Sequence, residues 1–402
     1  MTIRIPFLVC VGAMTLVVAG CRRPAPSASV NQDSPAFEAL SPLPPPLYAA
    51  DLPESLPDTT FWRMVTDLSE PGGYFQSENF VSNEMGLQHV IARLEASTPP
   101  GGVYVGVGPE QNFTYLGALR PRIAFVVDIR RQNLLQHLWY KAVFELSPTR
   151  AEFLSRLFGR SWVSPPAASL SADSLIVLLD QAAPDTARFR QTFVDVETHL
   201  TKRHGFTLDS ADVETLRYVD SIFFVSGPTL NYSSGSTGRS GNRFGRGGFN
   251  RMPTFAQIAS ATNEGGMNRG FLGSETAYGV VRDLQRRNLV VPLVGNFAGP
   301  KTLRAVGGWL RDRGAKVNVF YTSNVEQYLF QQADNWAVFY RNVAAMPLDS
   351  SSRFVRSVTN RGFGPPSNFL MTQLTSSIFD IVRGVESGAV RGYGDVIFLS
   401  QP

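Results

Sequence analysis

GVYVGVGPEQNFTYLGALRPRIAFVVDIRRQN, Gly102 to Asn133, is the stretch on which the reading of the fold turns. An apolar run, Val103 to Val105, ends in Gly106-Val107-Gly108, and a second, Ile123 to Val127, ends in Asp128. Between them Glu110-Gln111-Asn112 is set to open a helix, because acidic and amide side chains suit a helix N-terminus. Strand, glycine turn, helix, strand, acid is how a doubly wound α/β domain begins. In such domains the glycine turn lets a ligand approach the backbone, and the acid about 20 residues later binds a hydroxyl.

Downstream, Leu135, Leu138, Trp139, Ala142, Val143 and Leu146 share one face of a helix over Asn133 to Leu146. Ser147-Pro148 reads as an N-cap with proline at the first helical position, opening a helix through Phe153, Leu154 and Leu157. Residues 160–220 read as largely helical, and Ser221 to Val225 as a buried parallel strand closing on Ser226-Gly227. Leu289 to Val294 is a strand ending at Gly295-Asn296, and Val317 to Tyr321 another. Ser323-Asn324-Val325-Glu326 has the S-x-x-E spacing of a capping box, opening a long helix through Tyr328, Trp336, Phe339 and Val343. The tail is expected to hold a helix over Leu370 to Val382 and a last strand, Asp395 to Leu399. The fold expected is a mostly parallel Rossmann-like sheet with helices on both faces. Its strand ends, Gly106, Gly108, Asp128, Ser226-Gly227, Asn296 and Ser323, would line a crevice.

Upstream lies SEPGGYFQSENFVSNE, Ser69 to Glu84, too polar for core and too aromatic for a plain linker. A segment just before the first strand is placed to fold over the crevice, which makes Tyr74, Asn79, Asn83 and Glu84 candidate substrate-binding residues. A short amphipathic helix precedes it, with Phe61, Val65 and Leu68 on one face.

Of the 402 residues, the first twenty read as a signal peptide. Arg4 gives a positive start, Ile5 to Val18 an apolar run too short to span a membrane, and Val18-Ala19-Gly20-Cys21 a small-residue site before cysteine. This resembles the lipobox of bacterial lipoproteins, and the resemblance implies acylation of Cys21 and a lipid bilayer as partner. Residues 21–57, rich in proline, would be a semi-rigid tether, and 58–402 one α/β domain. Location is then the cell membrane, lipid-anchored and extracytoplasmic. Arg22 after the cysteine, in place of the aspartate that marks inner-membrane retention, points to the outer membrane in a Gram-negative cell. The two cysteines, Cys10 and Cys21, leave the mature chain no disulfide and no catalytic thiol.

A net charge of +4 is too mild to argue for nucleic acid. The stretch NYSSGSTGRSGNRFGRGGFNR, within a Gly/Ser/Arg-rich insertion at about 231–252, has the arginines and phenylalanines of an RNA-binding arm, but outside the cytoplasm a solvated insertion is the simpler expectation. His89, His137, His199 and His204 show neither H-x-x-x-H nor H-E-x-x-H spacing, so no metal site is expected. Neither a nucleophile elbow nor a phosphate-binding P-loop occurs.

Gln111 stands where a dinucleotide fingerprint needs its third glycine, so pyrophosphate is disfavoured. The looser G-x-G followed by an acid after the second strand resembles class I S-adenosylmethionine-dependent methyltransferases. By that resemblance Gly106 and Gly108 match the cofactor-loop glycines and Asp128 the acid that holds the ribose hydroxyls. Glu110 and Asn296 would border the same cofactor site. Tyr104 departs from the acid usual before the first glycine, and Glu110 from the third loop glycine. The strings GGYFQSENFVSNE, GVGPEQNFTY, VDIRRQN and SNVEQYL are also similar to a group of bacterial proteins of unassigned function. The function expected is therefore a membrane-anchored lipoprotein whose cleft binds a small polar ligand or an envelope partner. The alternative is an active methyltransferase using S-adenosylmethionine.

Overall fold

In this computed structural model the described residues are 51–235, 252–359 and 371–401. The signal peptide, Cys21, the tether and nearly all of the Gly/Ser/Arg-rich insertion lie outside them. Among the described residues no helix is long and apolar enough to cross a membrane.

Six strands form one sheet: β1 (Val103–Gly106), β2 (Ile123–Asp128), β3 (Val290–Val294), β4 (Val317–Ser323), β5 (Arg353–Thr359) and β6 (Met371–Ser377). Their order is β3-β2-β1-β4-β5-β6. The first five pair in parallel, and β6 returns antiparallel along β5. Strands β1 to β3 are buried along their whole length, as their valine-rich, largely apolar sequences require in a sheet covered on both faces. The order reverses at β1, between β2 and β4. A doubly wound sheet opens its ligand crevice at such a switch point, outside the strands' carboxyl ends.

The helix Arg131–Leu146 is buried on nearly every side, from Asn133 to Phe144. Its inner face packs on β2 and β3, and its outer face is covered by a helical excursion between β2 and β3. Ser221 to Val225 belongs to this excursion. It is the last turn and a half of the helix Ser210–Ser226, not a strand. Leu216, Val219, Asp220 and Phe223 face inward at helical spacing, while Val225 is 78% exposed. Asp209 caps that helix, its side chain accepting from Asp212 N. A five-residue apolar run is too short to separate strand from helix by period, and the cap at Asp209, well upstream of it, is the signal that decides.

Three other expectations are corrected at the carboxyl half. The helix expected over Leu370 to Val382 is, from Met371 on, β6 followed by a helix, Ile378–Glu386, because Ser377 caps the helix by accepting from Asp380 N. The strand expected over Asp395 to Leu399 is instead the end of a helix, Tyr393–Phe398, with Leu399 as its C-cap. The long helix expected from Ser323 is two pieces, Val325–Leu329 and Asn335–Ala344, and Asn324 makes no side-chain cap. Glu326 turns inward instead. It accepts from Arg356 Nε at 2.7 Å, Tyr340 OH at 2.6 Å and Thr322 Oγ1 at 3.1 Å, a fully buried ion pair tying β4, β5 and the following helix. At the start of Arg150–Phe158, Thr149 is the cap, one residue beyond Pro148.

Candidate functional site

Ser69 to Glu84 runs along the carboxyl edge of the sheet, held by a bond every few residues. Glu70 N donates to Val294 O at the end of β3 (2.8 Å), and Gly73 N to Ile129 O just after β2 (2.8 Å). Gln136 Nε2 donates to Phe80 O (2.6 Å), and Ser82 N to Glu110 Oε1 beside the turn after β1 (2.9 Å). Glu84 closes the far end. It accepts from Tyr321 OH (2.8 Å) and Ser323 Oγ (2.5 Å) on β4 and from Gln373 Nε2 (3.0 Å) on β6. The segment thus seals the crevice from β3 to β6.

Beneath it, the glycine turn is held by the chain's own side chains. Asn112 Nδ2 donates to the carbonyls of Val107 (3.0 Å), Gly108 (3.0 Å) and Pro109 (2.8 Å), and its Oδ1 accepts from Tyr104 OH (2.9 Å). A Cβ on Gly106 would overlap that Asn112 oxygen, and Gly108 has φ +79°. Both glycines are therefore required by the turn itself. His137 Nε2 lies 2.8 Å from Gly108 O and must donate there, which leaves its buried Nδ1 without a partner. Burial lowers the imidazole pKa to about 4, so it stays neutral.

Asp128 sits at the end of β2 as expected, but its carboxylate is already held. Arg130 grips it in a two-pronged pair, Nε to Oδ1 at 2.9 Å and Nη2 to Oδ2 at 2.8 Å, and the Arg130 backbone N–H adds a third bond at 2.9 Å. The same guanidinium donates to Ser77 O (3.1 Å) and Glu78 O, so the pair also pins the covering segment. Arg130 escaped the sequence reading because an arginine before a helix looks like surface. Its spacing two residues after Asp128 was the available signal.

Glu110 and Glu84 are 2% and 1% exposed. Burial, reinforced by the nearby Glu84 charge, raises the Glu110 pKa to about 7, against the opposing bond from Ser82 N–H. Its Oε2 has no partner among the described residues, and neither does Gln111 Oε1. Both residues border a cavity of ≈ 20 Å³ with Leu87, Thr114, Phe255 and Phe271, room for about one water.

The remaining candidates divide. Tyr74 points to solvent, 86% exposed. Asn79 is half-buried at φ +46°, a turn position in the covering segment, and Asn83 is half-buried before Glu84. Asn296 shapes a turn, its Oδ1 accepting from Ala298 N (2.9 Å) and its N–H donating to Glu70 (3.2 Å). Ser226-Gly227, at a helix end, does not reach the crevice as a strand terminus. The structure thus gathers Gly106, Gly108, Glu110, Glu84 and Asp128, and adds Arg130, Asn112, Tyr321 and Gln373.

Residues 79–164 and 251–380 match a domain of unknown function, DUF7790, and together they span more than half of the chain. The chain belongs to this family. The DUF7790 segments contain all six strands of the described sheet and each crevice residue just named, while the described helices between residues 165 and 250 fall outside them. No curated protein matches the chain.

Proposed function

We propose that the chain is a membrane-anchored lipoprotein whose α/β domain is a binding module, not a working methyltransferase. The resemblance to class I methyltransferases has support in the sheet, whose β3-β2-β1-β4-β5-β6 order ends in an antiparallel strand, β6. The observation that carries the binding reading is Asp128. A carboxylate that must take up ribose hydroxyls needs open lone pairs, and here the Arg130 guanidinium and the Arg130 backbone N–H already occupy three of about four. Glu84 and Glu110 put two carboxyl groups into the same crevice, where a cofactor's own carboxylate would be repelled. What the crevice does offer is two buried oxygens without partners among the described residues, Glu110 Oε2 and Gln111 Oε1, beside a water-sized cavity. A small polar ligand presented in the envelope would take the place of that water and bond these oxygens once the covering segment, Ser69 to Glu84, moves aside.

Calorimetric titration with S-adenosylmethionine and S-adenosylhomocysteine tests this reading, with Asp128→Ala as the control. No heat with either compound is expected. Micromolar binding that Asp128→Ala abolishes would overturn the binding-module reading in favour of the methyltransferase.

A further inference from the structure

A second polar cluster lies at the other end of the sheet, away from the crevice. The helix Thr186–Thr198 does not stop at His199 but widens into a π-turn, His199–Arg203, closed by the bond from His204 N to His199 O at 3.0 Å. That i to i+5 closure brings two histidines five residues apart onto one side, a spacing outside the helical patterns that zinc motifs usually show. Both rings face Glu145 in the last turn of Arg131–Leu146. His199 Nε2 lies 2.8 Å and His204 Nε2 2.9 Å from the same oxygen, Oε2. On its other side His204 Nδ1 lies 2.7 Å from Asp58 Oδ1, and Asn288 Nδ2 holds that Asp58 oxygen at 2.8 Å.

We propose that Glu145 Oε2, His199 Nε2 and His204 Nε2 bind one divalent transition-metal ion, zinc by its donor set, with Asp58 as the outer carboxylate that orients His204. Three observations carry the assignment. The donor atoms all lie within 4.8 Å of one another. Zinc bonds of about 2.0–2.2 Å set tetrahedral donors roughly 3.4 Å apart, so both histidine–glutamate contacts need open by only about half an ångström. Next, His204 faces a carboxylate at each ring nitrogen, Asp58 at Nδ1 and Glu145 at Nε2, which holds the ring in one orientation with Nε2 aimed at the other two donors. A metal on Nε2 with Nδ1–H donating to Asp58 satisfies both sides, the arrangement by which carboxylates fix metal-bound histidines. Finally, the Lys141 ammonium holds only the other oxygen of Glu145, Oε1, and leaves Oε2 to the two histidines.

Lys141 does not compete for the binding atom, because its ammonium takes Glu145 Oε1 at 2.6 Å and the Gln285 carbonyl at 2.5 Å. His204 stacks on Phe206 at 5.0 Å, which fixes one ring. The His199 side chain is 16% exposed, against 5% for His204, and gives the side from which an ion enters and a fourth ligand, water, completes the set.

The full chain, stripped with a chelator and titrated near neutral pH with zinc chloride, is expected to bind one ion per chain. Cobalt(II) in its place is expected to show the intense visible absorption of a four-coordinate ion. His199→Gln, at the more exposed ligand, is expected to weaken binding by about 100-fold or more, and Asp58→Asn by about 10- to 100-fold. His89→Gln should leave it unchanged. Circular dichroism verifies that each variant is folded, and Asp58→Asn stands in should His199→Gln fail to fold. Absence of stoichiometric binding, or binding that neither variant weakens, would show a hydrogen-bonded ion cluster only and overturn the assignment.

Discussion

Glu110→Gln is the sharpest probe of the sealed crevice. The carboxyl group has a pKa of about 7 in the folded chain against an ordinary 4.5. The sign follows from linkage. Because the folded value is the higher one, the folded state holds a proton that the unfolded state releases between pH 4.5 and 7. Stability tied to this group is thus full below pH 4.5, declines through that window and levels off above 7. The difference of 7 minus 4.5 amounts to about 3 kcal/mol at 1.36 kcal/mol per pKa unit. Glutamine keeps the oxygen that accepts from Ser82 N and replaces the unpartnered Oε2 with an amide that does not ionise. Urea denaturation of wild type and variant at a series of pH values reads the effect. Relative to wild type, Glu110→Gln should gain about 3 kcal/mol between pH 4.5 and pH 8, most of it below pH 7. A difference that does not change with pH, or that favours wild type at alkaline pH, would refute the claim that the segment encloses Glu110 away from water.

His137 acts in the opposite direction from the same turn: its lowered pKa means stability is lost as pH falls from 6.5 towards 4, and His137→Gln should flatten that acid limb by up to about 3 kcal/mol in the same denaturation series. Removing Arg130 leaves a buried Asp128 without its partner, so Arg130→Ala should cost about 3–5 kcal/mol and open Ser69 to Glu84 to limited proteolysis. Asp128→Asn on that background should restore part of the loss, measured as a double-mutant cycle. Arg356→Ala, which strands Glu326 in the core, is expected to cost a similar about 3–5 kcal/mol by chemical denaturation without altering calorimetric behaviour at the crevice. Cys21→Ser should move the chain from the membrane fraction to the soluble fraction on cell fractionation.

The parts of the fold legible in the sequence were those in which one short pattern has one physical solution. Val103 to Asp128 could only be strand, turn, helix and strand, and Glu110 did open the helix Gln111–Leu119. The errors fall where a local pattern was satisfied by a distant partner. Glu326 has capping-box spacing, but Arg356, thirty residues on, offers it a buried guanidinium, and that pairing outweighs a surface cap. Phe223 and its neighbours look like a strand until Trp139, Tyr140 and Phe158 are found packed around Phe223 as a helix face. At the crevice, Asp128 and both glycines were found by type and spacing. Their engagement with Arg130 and Asn112 was not, because sequence shows which groups can bind a ligand and not which have already been claimed by the chain. His199 and His204 were passed over for a related reason, since a π-turn leaves no mark in a search at helical spacings.

The covering segment also sets an order of events in folding. Glu84 lies before β1 in the chain, yet its bond to Gln373 spans 289 residues and its bond to Tyr321 spans 237. Contacts of such separation close late, because the loop between them must be organised first. The first residues of the domain to leave the ribosome are therefore among the last to settle. Until β6 is in place, the carboxyl edge of the sheet stands open with its glycine turn and two carboxyl groups in water. A chain shortened before Met371 would lose the anchor at the far end of the segment and should remain in that open form.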